Sequence, residues 1–473
     1  MIVRRRRNLF YQKKHSNFYR VFLWFCLILG GIWLINQVQT GAIQRPFQAT
    51  PEPTRSVQSY ALEGDTSFVT GQLDDAISAY TKATSVNPND TEVWVKLARI
   101  QAYSSNLLTT DAQRLERLQQ ALASVDKAIL LAPDDSMVHA TRAFVLDWLW
   151  SQTTLTGQDP KTLLSEAEQE ATRALLLDAQ NILGMAYYAE IMVDMQKWSQ
   201  AEKIIIQAVD RGPNLMDVHR VYAYVLESTS NYTQAIEEYK KAIEITPNLT
   251  FLYISVGANY RRLAFDNNIT AERNALYDQA IEYFAKAARL NSGLLIQDPI
   301  PYIAIAKTYS QKGDFFAAAL NIKKALSFDV SNADIHGQLG IIYFKSRNYE
   351  GSIPALKCAV RGCTAAESCQ ARFGRDCGQN EQSAQITGLP LSNTTVVYYY
   401  TYGSVLAALS IPQRNYCTDA MQVLNEVRTA FTADPTILGI VNAGEQICQS
   451  LAQDIIQTPT PMATATPIPT PKP

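Results

Sequence analysis

The segment AIEEYKKAIEITP, residues 235–247, decides the fold of this 473-residue chain. A related segment, AEKIIIQAVDRGP, occupies residues 201–213, so the two final prolines are 34 residues apart. In each segment an alanine is followed four residues later by a bulky apolar residue and, three residues after that, by a second alanine. These spacings place the three side chains on one face of a helix, where the small alanines let a neighbouring helix approach closely. The proline then ends the helix because it has no amide hydrogen to donate.

The same pattern occurs six times between residues 76 and 325. The copies are Ala76/Tyr80/Ala83, Ala121/Val125/Ala128, Ala201/Ile205/Ala208, Ala235/Tyr239/Ala242, Ala280/Phe284/Ala287 and Ala318/Ile322/Ala325. A motif that recurs at a regular spacing is typical of proteins built from stacked helical units. Such proteins act through an extended surface, so the pattern favours recognition of a partner over catalysis.

Counting back from the prolines divides the chain into eight units, each of which also contains a first helix. The units are Val57–Asp90, Thr91–Asp135, Ser136–Asn181, Ile182–Leu215, Met216–Leu249, Thr250–Leu294, Pro299–Asn332 and one that begins at Ala333. The fourth residue of a unit is aromatic, histidine or methionine, as in Tyr60 and Trp94. The eighth is small, as in Gly64 and Ala98. In these positions the chain resembles the tetratricopeptide repeat family, from about Val57 to Ala359.

The resemblance implies an all-α solenoid of helix–turn–helix repeats. With a degenerate ninth repeat and the apolar N-terminal run, the sequence predicts about nine repeats preceded by one N-terminal transmembrane helix. Repeats 1–8 are assigned to residues 57–360. Repeats 2, 3 and 6 carry about eleven or twelve extra residues, and Asp159-Pro160 predicts that such inserts also lengthen the second helix. A cysteine-containing insert, residues 361–395, interrupts the pattern. A degenerate ninth repeat and a capping helix are assigned to residues 396–456.

The N-terminus has the pattern of a signal anchor. Residues 1–20 contain seven arginines and lysines and no acidic residue, and the next fifteen residues are apolar. Because positive charge stays in the cytoplasm, residues 21–38 are predicted as a single-pass transmembrane anchor with a cytoplasmic N-terminus and extracytoplasmic repeats. A cleaved signal peptide is the alternative. Residues 39–56 are predicted as a linker, and residues 457–473, rich in threonine and proline, as a disordered tail.

Six cysteines near the C-terminal end favour disulfide bonds. They are Cys358, Cys363, Cys369, Cys377, Cys417 and Cys448. An even number of cysteines in an exported chain indicates pairing, which would tie the insert to the repeats. The sequence leaves the connectivity open, although Cys417 and Cys448 are placed to join the cap to the ninth repeat. A zinc site is the alternative, but the four cysteines of the insert lack the paired C-x2-C spacing common in zinc modules.

No catalytic residue, metal site or cofactor is predicted. Three of the four histidines, His139, His219 and His336, occupy the fourth position of a repeat, where a packing side chain is expected. The sequence contains no H-E-x-x-H, G-x-S-x-G or phosphate-loop motif. We therefore predict that the chain is not an enzyme and takes no small-molecule substrate. The alternative is an enzyme or metal-binding protein with its centre in the cysteine-containing insert.

Charge gives a prediction about nucleic acid. The chain has 42 basic and 44 acidic residues, which become 35 and 44 once the seven basic residues of the N-terminal tail are set aside. Domains that bind a phosphate backbone usually carry a basic surface. The sequence therefore predicts no nucleic-acid partner.

The groove lined by the first helices is the predicted binding surface, because in the family it receives peptides or partner helices. Cations and tyrosines there can hold carboxylates and stack on apolar side chains, with ordinary surface as the alternative. The sequence predicts a scaffold for protein–protein interaction in cell-envelope or surface assembly, or, alternatively, a cell-wall or polysaccharide attachment protein. The groove candidates are Lys96, Arg99, Tyr103, Arg220, Tyr224, Arg261, Arg262 and Lys307.

Overall fold

The structure, a computed structural model, describes residues 17–40, 55–152 and 159–457. In these ranges the regular structure is entirely helical, with 21 helices and only isolated β-bridges, which confirms the all-α prediction. The chain forms two compact units, residues 1–55 and residues 56–473. The predicted basic tail up to residue 16, the linker from 41 to 54 and the tail from 458 lie outside the described residues.

The first unit contains helix α1, Phe18–Gln39. It has 22 residues and a mean hydropathy of 2.0, so by length and composition it is able to cross a membrane. At about 1.5 Å per residue it extends roughly 33 Å, which matches a hydrocarbon core of about 30 Å.

The second unit contains eight helix pairs, each with the predicted first and second helix. The pairs are α2 (Val57–Val69) and α3 (Leu73–Val86), α4 (Thr91–Ser105) and α5 (Asp111–Leu131), α6 (Ser136–Trp150) and α7 (Pro160–Leu177), α8 (Ile182–Asp194) and α9 (Trp198–Arg211), α10 (Met216–Ser228) and α11 (Tyr232–Ile245), α12 (Thr250–Asp266) and α13 (Thr270–Gly293), α14 (Ile300–Lys312) and α15 (Phe315–Leu326), and α16 (Ala333–Lys345) and α17 (Tyr349–Val360).

The alanine pattern forms the seam between the two helices of a pair. Every residue of its six copies is at most 5% exposed. The small eighth residue of the first helix faces the bulky residue of the second. A Cβ atom built on Gly64 would lie 2.7 Å from the ring of Tyr80, and one on Gly257 would lie 2.5 Å from Phe284. Because both distances are shorter than van der Waals contact, the rings of Tyr80 and Phe284 occupy the space that a side chain at position 64 or 257 would need.

The inserts lengthen the second helices, as the sequence predicts. Helices α5, α7 and α13 have 21, 18 and 24 residues, against 14 in α3. Helix α7 begins where Asp159 accepts a hydrogen bond from the amide of Lys161, with Pro160 as its first residue. Residues 153–158 of this insert are not among those described.

One backbone position in the short turns has left-handed geometry. In the five repeats without inserts it is the fifteenth residue of the unit, with φ between 61° and 89°. Only glycine adopts this region at little cost. The residues are Gly71, Gln196, Ser230, Gly313 and Arg347.

A ninth helix pair and a cap follow the insert. Gly403 faces Leu424 at 2.7 Å from a built Cβ, which is the glycine–bulky relationship of the other repeats. The insert contains a short helix that the sequence did not predict, with Thr364 and Glu367 forming its capping box. The helices are α18 (Ala365–Phe373), α19 (Val396–Ala408), α20 (Cys417–Ala430) and α21 (Pro435–Gln457).

Candidate functional site

The solenoid winds tightly, so that distant repeats touch across its inner side. The amide group of Asn248, in repeat 5, donates a hydrogen bond to the carbonyl of Val69 in repeat 1, at 3.0 Å. The hydroxyl of Thr109, in repeat 2, donates to Asp329 at the end of repeat 7, at 3.1 Å. The first helices therefore face one another across a narrow interior, and the groove is partly filled by the chain itself.

Asp217 on α10 collects hydrogen bonds from across this interior. It accepts from Arg99 and Tyr103 of α4 and, at 3.2 Å, from Tyr187 of α8. Burial alone would raise the pKa of Asp217, but the charges of Arg99 and Arg220 hold it below its ordinary value. Two of the predicted groove residues are thus bound within the molecule.

Arg220 is also internal. It is 6% exposed and donates two hydrogen bonds of 2.7 Å to the carboxylate of Glu190. Its guanidinium lies over the rings of Phe144 and Trp148, 5.7 Å from each centroid. The Arg220 guanidinium therefore has its charge balanced by a bidentate ion pair and its faces covered by aromatic rings.

Two further groove candidates have acidic partners nearby. Lys96 lies 3.2 Å from Asp65, and Tyr224 donates a 2.5 Å hydrogen bond to Asp194. Position in the repeat identifies the inner face of each first helix, but not the tight winding that brings inner faces together. The binding role of these residues and of the internal ones stays a prediction.

The remaining candidates line an open cavity of about 490 Å³ between repeats 6 and 9. Arg261, Arg262 and Lys307 are joined there by Lys345, and we call these four residues the cationic pocket. Phe265 and apolar residues of α16 and α19 complete the wall. Among the described residues, none of the four cations has an acidic side chain within ion-pair distance.

The cations of the pocket raise the energy of each other's charged forms. Burial and the neighbouring charge of Arg262 lower the pKa of Arg261. Burial also lowers the pKa of Lys307, aided by Arg261 and opposed by Asp334. An anion that enters the cavity would offset the repulsion between these cations and compensate for the hydration that they lose on burial. The arrangement is suited to binding a carboxylate or a phosphate.

Sequence reasoning missed part of this pocket. Lys345 occupies the thirteenth position of repeat 8, as Arg262 does in repeat 6, so a comparison of that position would have found it. Gln338 and Tyr398 also line the cavity, and both donate hydrogen bonds to Asp334, at 2.5 and 2.7 Å. The side-chain oxygen of Gln338 is buried and has no partner in the described structure.

The histidines of the repeats and the six C-terminal cysteines make contacts within the protein. His139 and His219 hydrogen-bond to Glu170 and Glu238, at 2.5 and 2.6 Å. No group of three or more metal-ligating side chains occurs in the part of the chain that the structure describes. The six cysteines lie in three bonded pairs, Cys358–Cys363, Cys369–Cys377 and Cys417–Cys448.

Comparison with known families agrees with the repeat geometry. Models of the tetratricopeptide repeat match residues 57–90 and residues 191–249. The first range is repeat 1, and the second covers most of repeat 4 and all of repeat 5. This chain is a tetratricopeptide repeat protein.

Two curated relatives match part of the repeat protein. It is 26% identical over 136 residues to interferon-induced protein with tetratricopeptide repeats 2 of Cricetulus griseus, covering 27% of this chain and 29% of that one. It is 29% identical over 103 residues to the Homo sapiens protein of the same name, covering 20% and 22%. The tetratricopeptide repeat protein therefore matches less than a third of the length of these relatives.

Solved structures of the same fold include human IFIT1. The IFIT1 dimer with PPP-AAAA aligns with a TM-score of 0.50 and 16% identity, covering 84% of this chain and 91% of that chain. A monomeric mutant of IFIT1 with m7Gppp-AAAA aligns with a TM-score of 0.50 and 13% identity, covering 85% and 91%. At these identities the likeness shows the fold alone.

The prediction of no nucleic-acid partner is wrong. It rested on the net charge of the chain, yet IFIT1, which shares the fold, is found with PPP-AAAA and with m7Gppp-AAAA. Net charge does not decide the matter because recognition depends on local charge. In this repeat protein four cations converge in one cavity although acidic residues outnumber basic ones overall.

Proposed function

We propose that this tetratricopeptide repeat protein is a membrane-anchored, extracytoplasmic scaffold that binds an acidic segment of a protein partner in its cationic pocket. The tetratricopeptide fold itself suggests a protein-interaction scaffold. The observation that carries the proposal is the convergence of Arg261, Arg262, Lys307 and Lys345 on one open cavity without acidic partners among the described residues. We also propose that the chain is not an enzyme.

The wall of the pocket favours a peptide. Phe265, Ile341 and Val397 line the same cavity as the cations. A segment that alternates acidic and apolar side chains would satisfy both kinds of surface, and arginine binds carboxylates in a bidentate manner. An oligonucleotide would place phosphates against the cations and bases against the apolar wall. The fold it shares with IFIT1 makes an oligonucleotide the competing ligand.

Two features support placement outside the cytoplasm. Helix α1 is long and apolar enough to cross a membrane, and the preceding residues carry a surplus of positive charge. The three bonded cysteine pairs suit an oxidising compartment, because cytosolic thiols are kept reduced. Protease added to intact cells should then digest the repeats and spare a tag at the N-terminus. Protection of the repeats would contradict this placement.

Photo-crosslinking tests the pocket in the full-length protein. A photoreactive phenylalanine analogue at position 265, in the membrane-bound chain, should capture peptides rich in aspartate and glutamate. The double variant Arg262→Glu/Lys345→Glu should abolish this capture, whereas Lys82→Glu, an exposed lysine of α3, should leave it intact. Equal capture by the photoreactive chain, the double variant and the Lys82→Glu control would refute binding of an acidic segment in the cationic pocket.

A direct competition decides between peptide and nucleic acid. A fluorescent peptide made from a captured sequence is displaced from the full-length protein by unlabelled peptide or by triphosphorylated tetra-adenylate. The proposal expects the peptide to be at least tenfold more effective. If the oligonucleotide displaces the fluorescent peptide more effectively, the ligand of the cationic pocket is a nucleic acid and not a protein segment.

A further inference from the structure

A second cavity lies inside repeats 2–5, far along the chain from the cationic pocket. It has a volume of about 220 Å³ and includes exposed Asn106 and Ser151 among its lining residues, so it is reached from solvent. This volume is below the roughly 300 Å³ of small ligand sites and suits a single side chain. We call it the acidic pocket, after three carboxylates that line it with two tryptophans: Asp147, Glu190, Asp194, Trp148 and Trp150.

Asp147 is an unusual member of this pocket. It is 2% exposed, and its Oδ1 atom has no hydrogen-bond partner among the described residues. A buried carboxylate oxygen without a partner is costly, because water no longer compensates its charge. Its position on the cavity wall means that a ligand with a donor group would supply the missing interaction.

The charges that face the pocket leave a surplus of negative charge. Glu190 is neutralised by Arg220 through their two hydrogen bonds. Arg114, from α5, is held at the edge by Asp111 at 2.8 Å. On α10, Tyr224 donates a hydrogen bond to Asp194 but contributes no charge at neutral pH. Helix α4 and the residue that follows it contribute only neutral side chains, Ser105 and Asn106. Among the described residues, no cation forms an ion pair with Asp147 or Asp194, although the charge of Arg220 is near enough to act on Asp147.

From this geometry we infer that the acidic pocket binds the ammonium or guanidinium group of a single lysine or arginine side chain from a protein partner. The cation would hydrogen-bond to the Oδ1 atom of Asp147 and take the place of the proton that the hydrogen-bonded carboxyl groups of Asp147 and Asp194 share. Trp148 and Trp150 would pack on the aliphatic part of the side chain, as apolar surfaces do for long basic side chains. This inference does not depend on what binds in the cationic pocket.

Binding of the cation should release a proton. Burial, with the charges of Asp194 and Glu190 and a hydrogen bond to Asp194, raises the pKa of Asp147 well above its ordinary value, and the charge of Arg220 opposes this rise. Burial likewise raises the pKa of Asp194 to about 6, against the hydrogen bond from Tyr224. The pair thus holds a proton in acid, and a cation competes with that proton. Affinity for the side chain should increase as the pH rises through about 6.

The test uses the full-length protein in lipid nanodiscs and three peptides. Acetyl-Gly-Lys-Gly-amide and acetyl-Gly-Arg-Gly-amide carry the cation, and acetyl-Gly-norleucine-Gly-amide has the same length without it. Calorimetry at pH 5, 6, 7 and 8 measures affinity, while tryptophan fluorescence reports occupancy of the pocket. We expect at least one cationic peptide to bind at least tenfold more tightly than the norleucine peptide, and more tightly at pH 8 than at pH 5.

Variants separate binding from folding. Asp147→Asn keeps the shape and removes the charge, so it should weaken binding at least tenfold while the melting temperature stays equal or rises. Asp194→Asn, at a less buried position, should weaken binding as well, and Asp75→Asn, an exposed site on α3, should change nothing.

Three results would overturn the inference. The first is equal affinity for the cationic and norleucine peptides, or no measurable binding of any peptide. The second is unchanged affinity in folded Asp147→Asn and Asp194→Asn. The third is binding of spermidine with no binding of either cationic peptide, which would assign the pocket to a free amine.

Discussion

The Nε2 atom of His219 lies 2.8 Å from the carbonyl oxygen of Pro213, six residues earlier at the end of the preceding repeat. The same relationship joins Trp94 and Tyr253 to the carbonyls six residues before them, both at 2.8 Å. In repeat 8 it joins His336 to a carbonyl at 3.3 Å. In these repeats the fourth position therefore holds a ring with a donor at its tip. This explains why histidine, tryptophan and tyrosine replace one another there.

His336 should make the protein sensitive to acid. Burial lowers the pKa of His336 to about 4, so the unfolded chain, with a pKa near 6.5, binds the proton more readily. The contribution of His336 is complete above pH 6.5 and is lost as the pH falls toward 4, at a cost of about 3 kcal/mol. Urea unfolding measured from pH 7 to pH 4 would show this loss.

The variant His336→Tyr separates this effect from general acid denaturation. Tyrosine keeps a donor at the fourth position, as in repeat 6, and does not titrate in this range. We expect the difference in unfolding free energy between wild type and variant to shift by about 3 kcal/mol between the two pH values. A constant difference would show that His336 does not titrate with unfolding.

At the left-handed turn positions, introducing glycine should stabilise the protein, and replacing a glycine should destabilise it. Ser230 has φ 63°, which costs an ordinary residue roughly 1–2 kcal/mol, so Ser230→Gly should stabilise the protein by about 1 kcal/mol. Gly313→Ala should destabilise it by a similar amount. No heavy atom of the described residues lies within 4 Å of a Cβ built at Gly313, so strain is the only cost. Urea unfolding of both variants measures this, and an unchanged midpoint in either would disagree with the turn geometry.

Gly257 should be required by Phe284. Because a Cβ at position 257 would lie 2.5 Å from the Phe284 ring, Gly257→Ala should destabilise the protein by about 1–3 kcal/mol. Adding Phe284→Val should recover part of the loss, since repeat 2 combines Ala98 with Val125 at the same two positions. Thermal unfolding of the two single variants and the double variant gives the interaction energy between positions 257 and 284. Strictly additive effects would show that the two residues do not share one space.

The bond between Cys417 and Cys448 should stabilise the cap. It joins α20 to α21 across 31 residues, and the Cys417→Ser/Cys448→Ser variant should lose about 3 kcal/mol. The Cys358–Cys363 pair spans only five residues, so its removal should cost less. Thermal unfolding of both double variants, with reductant on the wild type, provides the comparison. Equal losses from the two pairs would contradict the dependence on loop length.

The sequence predicted the helix pairs well because their physics is local. Spacings of three and four residues identify the seam, prolines mark helix ends, and Asp159 with Pro160 marks a helix start. The interior could not be predicted in this way. Arg99 and Asp217 are 118 residues apart in sequence, and only the accumulated rotation of successive repeats brings them together. A small error in rotation per repeat would separate them, and no local motif specifies it.

The same winding predicts how variants of the predicted groove will behave. Arg220 and Glu190 are 8% and 7% exposed in their side chains and form a buried ion pair. Glu190→Gln leaves the guanidinium without its hydrogen-bonded counter-charge and should cost about 3–5 kcal/mol, whereas Arg220→Met combined with Glu190→Leu removes both charges of the pair and should cost less. Urea unfolding of the three proteins tests this.

The burial of Arg220 affects how a loss of binding in its variants is interpreted. If Arg220 is internal, Arg220→Ala will reduce partner binding by unfolding the interior, and binding will return in the Arg220→Met/Glu190→Leu protein. If Arg220 contacts a partner directly, binding will be lost in the double variant although the fold is intact. Measuring crosslinking yield and unfolding free energy on the same samples separates these outcomes. We expect the double variant to bind as the wild type does, because its cationic pocket is unchanged.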